Sequence, residues 1–267
     1  MAIERKKNNT GNAAAEKKRI RKALLAAALI VLCIVLAVLG LYFSGKMLFS
    51  GNSRFALREV KVSGAGFWQK HEKLLANAIG LRMGQNLFAL DYSELRKKVQ
   101  SIPSVDNASV IRVLPDTIVI KITERIPRAV LNNPGSAWVV DNSATLMPRS
   151  QVMKTGNTLP VIAGVKLKNV RQGERVPEIT SAMELIMMAV ENFQDINIFY
   201  ISVQNPEKLD IYLKYRSFAS CRVIMPTRNR GWSFMLHTLQ SAIVQAKLKG
   251  ENRTTFDLSY DGRVVIR

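Results

Sequence analysis

The chain has 267 residues, with 39 Lys and Arg against 20 Asp and Glu for a formal net charge of +19, yet 48% of it is hydrophobic. That length suffices for one sizeable core or for two small domains with accessories, and the apolar content excludes a disordered basic chain. The charge alone suggests a phosphate binder; its placement along the chain argues against one.

Residues 1–22 hold eight basic residues (Arg5, Lys6, Lys7, Lys17, Lys18, Arg19, Arg21, Lys22) and two acidic ones, a balance of +6, in a stretch rich in Asn and Ala. Such a tail has little to bury and is expected to be mobile. Residues 23–45 (ALLAAALIVLCIVLAVLGLYFSG) carry no charge. About 20 residues at 1.5 Å each cross a hydrocarbon core, and Tyr42 and Phe43 stand near the far end, where an aromatic belt belongs. A cleaved signal would have an apolar region of about 7–15 residues and a small-x-small site, which residues 40–45 do not offer. A retained transmembrane helix is therefore expected. Its basic flank precedes it, which keeps the amino terminus in the cytoplasm and places everything after about Lys46 outside.

That outer part has 31 basic and 18 acidic residues, a balance of +13. Outside the cytoplasm such basicity suits anionic membrane surfaces or acidic partner segments, so no nucleic-acid partner is expected. Cys33 lies in the apolar run and Cys221 far beyond it, so the two are not expected to pair.

A polar linker over 46–54 leads to a strand over 55–63, ended by Gly64-Ala65-Gly66. A helix over 70–79 follows, with Leu74, Leu75, Ala78 and Ile79 on one side and Gly80 closing it. A second helix is marked by Asp91 as cap, Glu94 three residues on, and Leu90 and Leu95 as a hydrophobic staple. Two strands over 108–113 and 117–124 are joined by Leu114-Pro115-Asp116, and Ile118, Ile120 and Ile122 share one face of the second. Two helices on one face of a three-stranded sheet satisfy this order.

From Ile126 on, short apolar or alternating runs at 138–140, 145–147, 198–203, 209–215 and 218–225 read as strands. Ser181-x-x-Glu184 resembles a capping box, followed by Met183, Met187 and Val190 at helical spacing. Trp232, Leu236, Leu239, Ile243 and Ala246 form the stripe of a further helix that Gly250 ends. Phe256, Leu258 and Tyr260 share one parity before a turn at Asp261-Gly262, then come Val264 and Ile266. This terminal hairpin is expected to put its last strand at a sheet edge.

These residues resemble the FtsQ/DivIB family of bacterial cell-division proteins. VKVSGAG (60–66) is similar to the opening of its polypeptide-transport-associated (POTRA) domain. Residues 84–130 carry its pieces in order: GQNLFALD, the IPSV connection, VIRVLPDT and ITERIPRAV. WVVDNSATLMP (138–148), LPVIAG (159–164) and FDLSYDGRVVIR (256–267) resemble its second, β-rich domain, with a weaker match from about 166 to 253. The family often has Gly after the Val-Asp turn where Asn142, Ser143 and Ala144 follow here, and Ser259 stands where it commonly has Arg.

The resemblance implies a membrane-anchored α+β fold: a cytoplasmic tail (1–22), a single transmembrane helix (23–45), a linker (46–54), a β-α-α-β-β POTRA domain (55–126), and a β-rich domain with accessory helices (127–267). It implies a non-enzymatic scaffold at the division septum of the bacterial inner membrane, without cofactor or metal. Its partners would be FtsB-like and FtsL-like bitopic coiled-coil proteins and other division proteins, and it would help control septal peptidoglycan synthesis. By position, Asp257, Leu258, Ser259, Tyr260, Gly262, Arg263, Val264, Val265, Ile266 and Arg267 become the leading partner edge. Arg58, Val60, Val62, Ile111 and Arg112 are the POTRA candidates.

The residues themselves suggest no catalytic site. His71 and His237 stand in different predicted units as ordinary helix residues, Cys221 reads as a buried strand residue, and neither GxSxG nor SxxK occurs. Gly40-x4-Gly45-Lys46 imitates a P-loop, but Met47 replaces Ser or Thr and the run lies at the membrane exit. Trp138 and Trp232 read as core residues before carbohydrate platforms. The alternatives are an envelope assembly factor whose POTRA domain receives exported polypeptides and, less favoured, a cell-wall hydrolase.

Overall fold

The computed structural model of the chain describes residues 2–50, 52–133, 136–153, 158–167, 171–216, 220–228, 231–250, 254–260 and 263–267. Two compact units emerge: Met1–Arg58 with Met83–Leu90 and Leu114–Asp116, and Glu59–Arg82 with Asp91–Val113 and Thr117–Arg267.

In the first unit one helix, α1 (Ala2–Ser50), runs through the expected tail, the apolar run and the start of the expected linker. Its Ala, Lys, Arg and Leu content has high helix propensity, so the ends continue the helix where composition alone suggested mobility. Its apolar part, Leu24–Gly45, is 22 residues long and buried nowhere; at 1.5 Å per residue it reaches about 33 Å, enough to cross a bilayer. The P-loop look-alike lies inside this helix.

The chain then makes a 3-10 turn over Ser53–Phe55, capped by Asn52, whose Oδ1 accepts the Arg54 amide at 2.9 Å. The strand expected from residue 55 therefore starts later. Residues 55–58 instead bond to two loops: Leu57 N–H to Gln85 O (2.8 Å), Gly84 N–H to Leu57 O (2.8 Å) and Arg58 N–H to Asp116 O (2.9 Å).

The second unit contains β1 (Glu59–Ser63), α2 (Glu72–Ala78), α3 (Tyr92–Gln100), β2 (Val105–Val113) and β3 (Thr117–Glu124), in the expected β-α-α-β-β order. The sheet order is β1-β3-β2, with β1 parallel and β2 antiparallel to β3. Val60, Val62, Ala108, Ile118, Ile120 and Ile122 lie in register on one face and are buried with Leu75, Leu95 and Val99 of the helices. Each of these Val, Leu and Ile side chains is worth about 1.5–3 kcal/mol when fully buried. Asp91 caps α3 as expected, its Oδ1 accepting the Ser93 (2.9 Å) and Glu94 (3.1 Å) amides. Glu94 pairs with Lys98 one turn on.

Helix α2 is rotated relative to expectation: Leu75, Ala76 and Ile79 are buried while Leu74 is 50% exposed. The rotation follows from Trp68, in a 3-10 turn just before the helix, which is buried and donates its indole N–H to Ser104 Oγ at 2.9 Å. The Gly64 turn admits no side chain, because a Cβ there would stand 2.5 Å from the Ile122 carbonyl oxygen.

The remaining strands form, among the described residues, a nine-stranded sheet of order β12-β11-β10-β9-β8-β7-β4-β5-β6. They are β4 (Ala129–Asn133), β5 (Ser136–Val140), β6 (Leu146–Pro148), β7 (Val161–Ala163), β8 (Ile196–Asn205), β9 (Lys208–Tyr215), β10 (Cys221–Pro226), β11 (Thr255–Tyr260) and β12 (Arg263–Ile266). Parallel neighbours need a crossover: α4 (Thr180–Asn192) joins β7 to β8, and α5 (Trp232–Leu248) joins β10 to β11. The predicted α5 stripe is buried throughout, against Ile211, Val223 and Phe256 among others.

Helix α4 departs from its sequence reading. It grows directly out of a 3-10 turn over Pro177–Ile179, so no side chain caps it and Ser181 lies inside its first turn. Its inward stripe is Ala182, Met183, Leu185, Ile186 and Ala189, leaving Val190 54% exposed. Glu124 and Arg125 mark the end of β3. Glu124 accepts the Phe67 and Trp68 amides (2.9 and 2.7 Å), and Arg125 reaches the buried Asp141 (2.8 Å). Asp141 also accepts the Ser143 and Thr145 amides, and Ala144 in this turn has φ 61°. That left-handed angle is the one a glycine at this turn would adopt without strain.

Candidate functional site

The terminal hairpin forms as expected, and β12 is an edge of the large sheet. Thr255 and Arg267 exchange both backbone bonds (3.2 and 3.0 Å), Asp257 lies opposite Val265, and Tyr260 opposite Arg263. The register shifts between Asp257 and Tyr260. Asp257 lies at that irregularity: it is buried, and its Oδ1 accepts Ser259 N–H at 2.9 Å and Ser259 Oγ–H at 2.6 Å. Lys208 of β9 donates to the same Ser259 hydroxyl (3.2 Å) and holds its ammonium 5.9 Å from the centre of the Tyr260 ring. Leu258 is core, whereas Tyr260 is 49% exposed. Arg263 and Arg267 are exposed, and Val264, Val265 and Ile266 are half-buried. The turn, with the candidate Gly262, lies outside the described residues.

Beside the hairpin is a groove of about 850 Å³, lined among others by Trp232, Phe234, Met235, Leu258, Tyr260 and Arg263. Trp232 is held by an N–H bond to Glu184 (3.1 Å) and is core, as read from the sequence. Lys208 and Phe234 were not singled out in the sequence. Phe234, 54% exposed, lies two residues, or about 200°, from Trp232 on the α5 wheel. An aromatic residue off the apolar stripe is the signal that could have found it.

Of the POTRA candidates, Val60 and Val62 lie on β1 and Ile111 and Arg112 on β2. Val60 and Val62 require correction, because they are 7% and 6% exposed and their side chains belong to the core under α2 and α3. Ile111 is 41% exposed, and the exposed Arg112 holds its guanidinium 5.7 Å from the centre of the Tyr92 ring. Arg58 is exposed but belongs to the other compact unit.

Asp141 is the clearest electrostatic site. Burial opposes its charge, but the Thr145 amide, the Arg125 and Ser143 hydrogen bonds and the Arg125 charge outweigh it, holding the carboxyl below its ordinary value. Burial pushes the Cys221 thiol up. His71 stacks on Phe67 and His237 packs edge-on to Phe193. Among the described residues no group of three or more His, Cys, Asp or Glu could hold a metal.

Residues 55–125 match the POTRA domain, FtsQ-type. The chain is 22% identical over 243 residues to the cell division protein FtsQ of Koribacter versatilis, covering 89% of this chain and 68% of that protein. It is 31% identical over 113 residues to FtsQ of Caulobacter vibrioides, covering 42% of this chain and 36% of that protein. It is 23% identical over 197 residues to the cell division protein DivIB of Clostridium acetobutylicum, covering 73% and 76%. The fold is thus mixed α+β, an apolar helix followed by a POTRA domain and a β-rich region with helices. The chain thus carries an FtsQ-type POTRA domain and is similar to the FtsQ and DivIB cell-division proteins.

Proposed function

We propose that this protein is a non-catalytic scaffold of cell division, anchored in the bacterial inner membrane by residues 23–45 with its amino terminus in the cytoplasm. Its POTRA domain (55–126) and β-rich domain (127–267) lie outside, at the septum. It joins early and late division proteins by binding FtsB-like and FtsL-like bitopic partners and so helps control septal peptidoglycan synthesis. The similarity to FtsQ and DivIB proteins supports the division role, and 22 apolar residues buried nowhere support the anchor.

The observation that carries the binding mode is β12 standing at the end of the nine-stranded sheet. An edge strand offers backbone groups to an incoming strand, and basic Arg263 and Arg267 beside it favour an acidic partner segment. Bond direction alternates along an antiparallel strand. Since Arg267 bonds inward to Thr255, alternation turns the backbone of Val264 away from β11. Val264→Pro is therefore expected to abolish capture of an FtsB-like partner while the protein keeps its far-UV spectrum. A folded Val264→Pro protein with full affinity would falsify strand addition.

A further inference from the structure

The last turn of α1 is fastened to a loop of the POTRA domain. Asn86, in the GQNLFALD run, donates its Nδ2 to the carbonyls of Phe49 (2.9 Å) and Asn52 (3.3 Å), while its Oδ1 accepts the Phe88 amide (2.8 Å). The Phe49 carbonyl is among the last four of the helix, which have no partner within it, so Asn86 serves as a cap supplied from a distant part of the chain. Around it, Phe49, Phe55 and Phe88 form an aromatic trio with ring centroids 5.0 Å (49–88), 5.0 Å (55–88) and 5.8 Å (49–55) apart. The trio is not sealed inside a core: Phe49 is 43% exposed and the other two are half-buried.

Helix length says where this cluster lies. The apolar span ends at Gly45 and the helix continues unbroken to Ser50, so Phe49 stands about 6 Å further along the axis. The polar layer on each side of a hydrocarbon core is about 5–8 Å deep, and aromatic side chains concentrate there. Arg54, exposed next to Phe55, is placed to reach lipid phosphates by extending its stem over apolar surface.

We infer that Phe49, Phe55 and Phe88 form a docking surface for the outer headgroup layer of the bilayer, with Asn86 as the positioning residue that seats loop 83–90 there. This rests on the anchor reading above. It makes the helix more than a tether, because its end and the loop enter the interface together.

The test uses the full chain in phosphatidylethanolamine–phosphatidylglycerol vesicles, in a Cys33→Ala, Cys221→Ala background. A spin label is placed at Leu36→Cys or at Ala89→Cys, an exposed site next to Phe88. Collision with lipid-soluble oxygen and with a water-soluble nickel chelate is measured. The Leu36 label should read the bilayer interior. The Ala89 label should be shielded from nickel, and Phe49→Ala with Phe88→Ala, or Asn86→Ala, should remove that shielding. A deep Leu36 label with an Ala89 label as nickel-accessible as free label overturns the docking surface and leaves the anchor standing. A nickel-accessible Leu36 label overturns both. The protein with its aromatic trio intact decides between these outcomes, so misfolding of a cluster variant does not obscure them.

Discussion

Among the described residues, strands β1 and β12 are both edge strands with one hydrogen-bonded neighbour each, yet they differ in what they offer. In β1, exposed Glu59, Lys61 and Ser63 alternate with buried Val60 and Val62, so one whole face is committed to the core beneath α2 and α3. In β12, Arg263 is exposed and the three residues after it are only half-buried. An edge position and an available set of side chains are thus separate properties. On β1 the Val62 amide is already taken by Glu72 Oε1 (3.0 Å), so an incoming chain meets the charged residues of β1 but not its valines.

Substitutions at five positions sharpen this contrast. Val62→Asp buries an unpaired carboxylate and should cost about 4 kcal/mol, whereas Val264→Asp at a half-buried position should cost about 1 kcal/mol. Urea midpoints measure both, and equal losses would refute the distinction.

Next in size is Asp141. A carboxyl held below its ordinary value stabilises the fold above the unfolded pKa of about 3.9, and that contribution is lost as pH falls through the lower folded value. Stability should therefore fall with acid below about pH 4, and Asp141→Asn should flatten that slope. Asp141→Ala should cost about 3 kcal/mol near neutrality, since it strips Arg125 of its closest carboxylate and leaves Asp106 at 3.2 Å.

Asp257→Ala removes the acceptor of two hydrogen bonds at the hairpin's register shift and should cost about 1–2 kcal/mol. Amide exchange should accelerate in β12 and stay unchanged in β1. The smallest effect is expected from Arg263→Ala: within about 0.5 kcal/mol in stability, with slower and less salt-dependent partner association as its readout.

Much of this was legible in the sequence where one local rule sufficed. The apolar helix, the Asp91 cap, the Ile118-Ile120-Ile122 face, the α5 stripe and the terminal hairpin each follow from a short pattern. What escaped was set by distant partners. Helix α2 turned because Trp68 finds Ser104 thirty-six residues away, and α4 needed no cap because Pro177 had already begun a turn. Strand β7 has only three residues and exists by lying between the longer β4 and β8. At the candidate site, edge placement was legible from the order of elements. Lys208, fifty-one residues from Ser259, had no signal in the sequence, because only the register of β9, β10 and β11 brings them together.

Cys221 gives the fold a chronology. Strand β10 lies between β9 and β11, and with both in place the thiol is fully buried and harder to ionise. Since the thiolate is the reactive form, closure of the sheet withdraws this sulfur from exchange with disulfides. Strand β11 begins some thirty residues further along the chain, so Cys221 is open to thiol chemistry only until that strand has docked, and completion of the sheet closes the interval.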